Sequence, residues 1–426
     1  MTRAGISICV LVMIACAVAA QAPPALQRSV NCDPQGLMQG FPPSPEKRVT
    51  VTADAKNWLL PPNTTWSYQH ACELVPTKRV GRGICVSALP RARKQLDNVT
   101  FDDCTDAVIV LHKGRIVYEN YAKGMRPETC HLLFSASKSF VGLVTAIMIS
   151  QGVIHQNDPV SQWVPKLADS AYGQATIRQV MDMRVNVKFL EDYTANPPSD
   201  VRCIFCYMAA ANWLIPGPCL CRGVPSNLYE ALQNLKESEK SSGGCMNYKS
   251  PNADVLAWVV SNKSGKSLSE LVSEQIWSKI GAHHDAYYLV DTLGKEAAFG
   301  GLNVTLRDFA RFGEMMRKMG NWNEQQVVPK SVIEDITQGG DHCQVFPNTD
   351  KPLLANWSYR SQWWVMNNSN GAYMARGVHG QRLYIDPKAQ MVVAKFGIDQ
   401  AVDDTSIDEA YQKVFDALAT RLENED

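Results

Sequence analysis

Two β-hairpin patterns sit at opposite ends of this chain, and their placement restricts the fold more than any other feature. In the first, Ala107-Val108-Ile109-Val110-Leu111 and Arg115-Ile116-Val117-Tyr118 flank the turn residues His112-Lys113-Gly114. In the second, Leu383-Tyr384-Ile385 and Met391-Val392-Val393-Ala394-Lys395-Phe396 flank Asp386-Pro387-Lys388-Ala389. The stretch between them reads mostly as helix, over 137–150, 228–236, 253–261, 268–280 and 306–319. A lone hairpin is marginal in water and a helix must bury its apolar stripe. Both hairpins are therefore expected in one mainly antiparallel sheet built from both chain ends and flanked by helices, an α/β sandwich with an inserted helical subdomain over about 150–300. Ile407, Tyr411, Val414, Phe415, Leu418 and Leu422 fall on one helical face, as expected of a C-terminal helix that covers the sheet.

Forty-two Lys+Arg balance 42 Asp+Glu. With no run of like charge, the electrostatic footprint of a nucleic-acid or anionic-membrane binder is missing. The first residues carry Arg3, an apolar run over 6–14 and then Ala15-Cys16-Ala17-Val18-Ala19-Ala20, the pattern of a secretory signal peptide over 1–20. Residues 21–100, with Pro42-Pro43-Ser44-Pro45 and Pro61-Pro62, read as an extended arm packed on a main domain over 101–426. Six Asn-x-Ser/Thr sites and a high cysteine count fit an extracellular glycoprotein with disulfides. Asn63, Asn98, Asn262, Asn356 and Asn367 are the expected glycan sites, and Asn303 is the weakest of the six because of its Gly-Gly context.

Three segments could carry chemistry. Phe134-Ser135-Ala136-Ser137-Lys138 opens an apolar helix, which places Ser135 and Lys138 on one face. A serine hydroxyl needs a base to become a nucleophile, and a partly buried lysine can be that base. The other reading of this segment alone is a helix cap beside a solvated lysine, and the same Ser-x-x-Lys spacing recurs at Ser44–Lys47 without a helix. Tyr248-Lys249-Ser250 then precedes Pro251 and a second helix, where a tyrosine could complete a proton relay. Ala375-Arg376-Gly377-Val378-His379-Gly380 enters the second hairpin. A glycine there lets the backbone approach a bound carbonyl, so the Val378 and Ser135 N–H groups could form an oxyanion hole.

Ser-x-x-Lys on a helix, Tyr-x-Ser before a helix and a glycine-bearing strand entry, in that order, resemble the serine β-lactamase and penicillin-binding-protein superfamily. The wording is most similar to its 6-aminohexanoate-dimer hydrolase branch, through Asp158-Pro159-Val160-Ser161-Gln162-Trp163-Val164-Pro165, Gly300-Gly301-Leu302-Asn303-Val304-Thr305-Leu306-Arg307-Asp308-Phe309 and Tyr384-Ile385-Asp386-Pro387. The resemblance covers roughly residues 36–420. It implies the β-lactamase/transpeptidase-like fold, Ser135 as the acyl-accepting nucleophile and Lys138 as its base. It further implies Tyr248 as the group that passes the proton to the leaving atom, Ser250 as a supporting hydrogen-bond partner, and the Ser135 and Val378 amides as oxyanion donors. Tyr193 falls where the nylon-oligomer hydrolases carry a loop tyrosine that contacts the substrate amide; packing of a loop aromatic is the other reading. β-Lactamases and transpeptidases place Lys or His before Thr/Ser-Gly in the third segment. Ala375-Arg376-Gly377 stands there in this chain, which favours an ester or amide over a cell-wall peptide.

His379 and Trp363 are further candidates for substrate contact, although buried core is the commoner fate of such an aromatic. Cys203-x-x-Cys206 and Cys219-x-Cys221 read as disulfides near the site mouth in an exported chain, with zinc as the alternative. His283-His284-Asp285 reads as surface, since neighbouring histidines do not face one site. The expectation is a secreted serine hydrolase, cofactor- and metal-free, acting on a small ester or amide. The competing expectation is an extracellular matrix protein that kept the fold, similar to gigasin-type mollusc shell-matrix proteins.

Overall fold

The computed structural model describes residues 58–59, 64–193, 202–214, 223–239, 243–340, 353–399 and 405–424. The leader, the arm up to residue 57, Asn63, Cys219 and Cys221 lie outside the described residues.

Both hairpins form and pair with each other. Met391–Gly397 lies antiparallel between Thr105–His112 and Gln381–Asp386, with Val393 opposite Val110 and Tyr384 opposite Val393. The large sheet has seven strands in the spatial order Arg115–Tyr121, Thr105–His112, Met391–Gly397, Gln381–Asp386, Tyr373–Gly377, Trp363–Val365, Ser358–Arg360. Period-2 alternation sorts its side chains into two cores. Ala107, Ile109, Leu111, Leu383, Val392, Ala394 and Phe396 face one layer, with Phe309 and Phe312 of the helix Leu306–Arg317. Val108, Val110, Tyr384, Met391 and Val393 face the other, with Ile407, Tyr411, Phe415 and Leu418 of the C-terminal helix Thr405–Asn424. Burying Phe309 and Phe312 fully contributes about 1.5–3 kcal/mol each. Gly313 lets that helix sit close on the sheet: a Cβ there would lie 2.7 Å from side-chain carbons of Leu383 and Val392.

A second sheet of four short strands was not expected from sequence. It runs Thr77–Val80, Ala286–Leu289, Leu302–Thr305, Cys130–Leu132, so part of the segment read as an arm is a strand paired with the middle of the chain. The helices Lys138–Ser150, Pro251–Ser264 and Leu228–Asn234 form where the periodicity placed them. The helix Leu268–Val272 starts on a capping box from Ser267 and Glu270 and continues as a π-type turn over Ser273–Trp277. Among the described residues, no helix is long and apolar enough to cross a membrane.

Candidate active site

The small sheet leads directly into the site. Cys130–Leu132 ends three residues before Ser135, which lies in a single 3-10 turn, Phe134–Ser137, that runs into the helix Lys138–Ser150. Phe134 has a φ of 47°, a conformation that a bulky residue rarely adopts. Its ring is wedged between Tyr68, at 4.8 Å, and His379, at 5.2 Å, and this packing holds the turn at the half-buried Ser135.

Lys138 is 1% exposed. Its Nζ donates to Ser135 Oγ at 2.9 Å and to the Phe299 carbonyl at 2.6 Å, and it lies 5.1 Å from the centre of the Tyr248 ring. Burial pushes the Lys138 ammonium down to about 8, against the raising influence of the Glu191 and Asp254 carboxylates. A lysine that is partly neutral near neutral pH and hydrogen-bonded to a serine hydroxyl can take its proton.

Tyr248 stacks on Trp364 at 5.8 Å and meets Tyr359 edge-on at 6.1 Å. Ser250 is buried, and a residue that the sequence did not single out ties it to the site. Glu191 accepts the Ser250 N–H at 2.7 Å, the Ser250 hydroxyl at 2.6 Å and the Tyr193 hydroxyl at 2.6 Å. One carboxylate thus joins Tyr193 and Ser250, and its charge reaches Lys138. Glu191 stands two residues before Tyr193, and a loop acid of that kind has no periodic signal to betray it. Asp254 was also missed, although its position four residues after Ser250 on one helical face could have marked it.

Gly377 closes the third side. A Cβ there would come 2.3 Å from the Leu133 carbonyl oxygen and 3.2 Å from the Ala136 nitrogen, so only glycine lets this strand lie against the Ser135 turn, with Val378 following it. Arg376, one residue earlier, turns toward the C-terminal helix Thr405–Asn424. Its Nε and a terminal nitrogen donate to Asp408 at 2.6–2.9 Å, and its guanidinium lies over the Trp364 ring at 5.3 Å.

Of the remaining candidates, His379 packs beside the Ser135 turn against Phe134, whereas Trp363 lies in the core. Trp363 is fully buried in the core, against Phe312 and Tyr373, and does not join the cluster; strand alternation gives that role to Trp364, which stacks on Tyr248. His379 is 6% exposed, and its Nδ1 hydrogen-bonds the Asp399 carbonyl at 2.7 Å. Burial lowers its pKa, which favours the neutral ring. His283 and His284 cap Asp308 through their backbone N–H groups, and Asp285 pairs with Arg79. Cys203 and Cys206 are buried with their Sγ atoms 3.1 Å apart. Asn303 is fully buried and donates to the Gly301 carbonyl, out of reach of a glycan, whereas Asn98, Asn262, Asn356 and Asn367 are exposed.

Comparisons with known proteins show the family. The Beta-lactamase family profile matches residues 103–397. The 6-aminohexanoate-dimer hydrolase of Paenarthrobacter ureafaciens is 33% identical over 348 residues, 80% of this chain and 86% of that protein. A solved structure from Bacillus anthracis, assigned provisionally as a 6-aminohexanoate-dimer hydrolase, is 31% identical with a TM-score of 0.76, over 87% of this chain and 97% of that one. A D-stereospecific amidohydrolase from Streptomyces, 15% identical with a TM-score of 0.54 over 74% of this chain and 93% of that one, shares the fold. The chain belongs to the beta-lactamase family of serine hydrolases, alongside the 6-aminohexanoate-dimer hydrolases.

Proposed function

We propose that this chain is a secreted hydrolase that cleaves a small ester or amide through an acyl-enzyme on Ser135. The observation that carries the reading is the 2.9 Å contact between the Ser135 hydroxyl and the buried Lys138 amine. In this reaction the Ser135 oxygen attacks the substrate carbonyl carbon as its proton passes to Lys138. The Ser135 and Val378 N–H groups receive the developing oxyanion. Tyr248 delivers a proton to the leaving nitrogen or oxygen as the acyl bond breaks, with Ser250 and Glu191 fixing the geometry beside it. A water then attacks the acyl-Ser135 ester by the same proton path in reverse, and the acid product leaves.

A linear amide is the first substrate class to try, since the relative from Paenarthrobacter is named for an amide-linked dimer. The engagement of Arg376 with Asp408 supports a substrate recognised without a carboxylate at that position. Secretion rests on the leader over residues 1–20, and glycosylation on the four exposed sequons; disulfides among the cysteines belong to the same proposal. The matrix reading has only the leader and the sequons behind it.

The proton path sets a pH dependence. Lys138 must be neutral to act as base, so kcat/KM for a p-nitrophenyl ester or a linear amide is expected to rise with pH to a midpoint near 8 and then level. A rate independent of pH between 6 and 9, or one unchanged in Ser135→Ala, would contradict the proposal.

A further inference from the structure

We infer that Asp254 is a positioning residue that sets the basicity of Lys138 through the 298–299 turn and through its own charge; this inference rests on the base role proposed for Lys138. Asp254 is 3% exposed, on the helix that begins just after Ser250. Its Oδ1 accepts the N–H of Ala298 at 2.7 Å and of Phe299 at 3.3 Å, and its Oδ2 accepts the Tyr207 hydroxyl at 2.9 Å. The carbonyl of that same Phe299 takes a hydrogen bond from Lys138 Nζ at 2.6 Å. One carboxylate therefore pins the turn that aims the Lys138 amine at Ser135.

The hydrogen bonds alone do not require a charge. An asparagine could accept both N–H groups with its oxygen and donate its NH2 to a rotated Tyr207 hydroxyl. Among the described residues no cation is in ion-pair contact with Asp254, and an unpaired buried carboxylate is costly. What the charge does is act on Lys138 through space, raising the proton affinity of the amine. The groups facing Asp254 from other elements are Lys138 and the phenols of Tyr172, Tyr207, Tyr229 and Tyr288. All four phenols are held neutral by burial first, which leaves Lys138 as the group among these that responds near neutral pH. Glu191 is the other carboxylate whose field reaches Lys138, and its influence is the larger of the two. Burial pushes Asp254 up to about 7, opposed by the Tyr207 hydrogen bond and the Lys138 charge, so its charge is present over the range in which Lys138 loses its proton.

The test is the rate of fluorophosphonate labelling of full-length protein against pH, for wild type, Asp254→Asn and Tyr207→Phe. In Asp254→Asn the acid limb is expected to move to lower pH by about half a unit or more, because Lys138 loses a stabilising anion. The high-pH plateau is expected to fall about 3-fold or more, because the amine becomes a weaker base. Tyr207→Phe raises the Asp254 pKa and should give a smaller shift in the same direction. A merely structural role would scale the labelling rate equally at every pH. A superimposable limb in Asp254→Asn, or in Tyr207→Phe should Asp254→Asn not fold, would overturn the inference while leaving the nucleophile reading intact. An unlabelled wild type would overturn both.

Discussion

Replacing Lys138 by Met is expected to slow acylation of Ser135 by about 10²–10⁴-fold and to leave the fold intact. Met keeps the apolar stem that lies among buried neighbours and deletes the amine that contacts Ser135 Oγ and the Phe299 carbonyl. The Phe299 carbonyl loses a donor, which costs about 1–3 kcal/mol if it stays dry. Against that, the variant no longer buries an ammonium whose charged form is disfavoured by desolvation. These contributions oppose each other, so the urea midpoint should move little while the labelling rate collapses. A labelling rate within about threefold of wild type would show that another group takes the Ser135 proton.

Asp408→Ala is expected to destabilise the protein by about 3–5 kcal/mol, the largest stability effect of a single truncation in this region. Asp408 is 1% exposed, and it accepts from Arg376 and, at 2.6 Å, from Arg382, so its removal leaves two guanidinium groups beside an apolar layer without their carboxylate. Burial alone would raise the Asp408 pKa, but the two arginines hold it below the usual carboxylate range. The sign follows: this contribution is complete above the unfolded carboxylate pKa and is lost as pH falls through the lower folded value. Because Arg376 is the neighbour of Gly377, the strand entry beside Ser135 should loosen too, and activity should fall with stability. Urea denaturation at pH 7 and pH 3 checks both parts. A loss below about 1 kcal/mol at pH 7, the range of an exposed ion pair, would show that the cluster is solvated.

The sequence made the long elements legible because each repeats its pattern several times. Val108, Val110, Ile109 and Leu111 alternate between two covered faces, and Ile407 to Leu422 keep one helical stripe, so neither depends on knowing a partner. The strands Ser358–Arg360 and Trp363–Val365 have three residues each, too few to show a period. The turn joining them uses Ser361 and Gln362 at φ values of 51° and 68°, without the glycine or asparagine that marks such hairpins. That is why the sequence points to Trp363 where the fold sets Trp364 beside Tyr248: one step of register exchanges the core for the Tyr248 side. Ser135, Lys138, Tyr248 and Ser250 were legible because fixed spacing before an apolar helix is itself a local signal. Glu191 and Asp254 reach the cluster through tertiary folding, from a loop and from a helix otherwise lined by Ala253, Val255, Leu256 and Ala257.

The central claim is that Ser135 is an activated nucleophile. Intact mass of the purified protein after incubation with a fluorophosphonate, followed by peptide mapping, tests it most directly. The expected result is one adduct per chain, on the peptide that carries Ser135, and none in Ser135→Ala. A folded wild type that remains unmodified, or an adduct that persists in Ser135→Ala, would contradict the account.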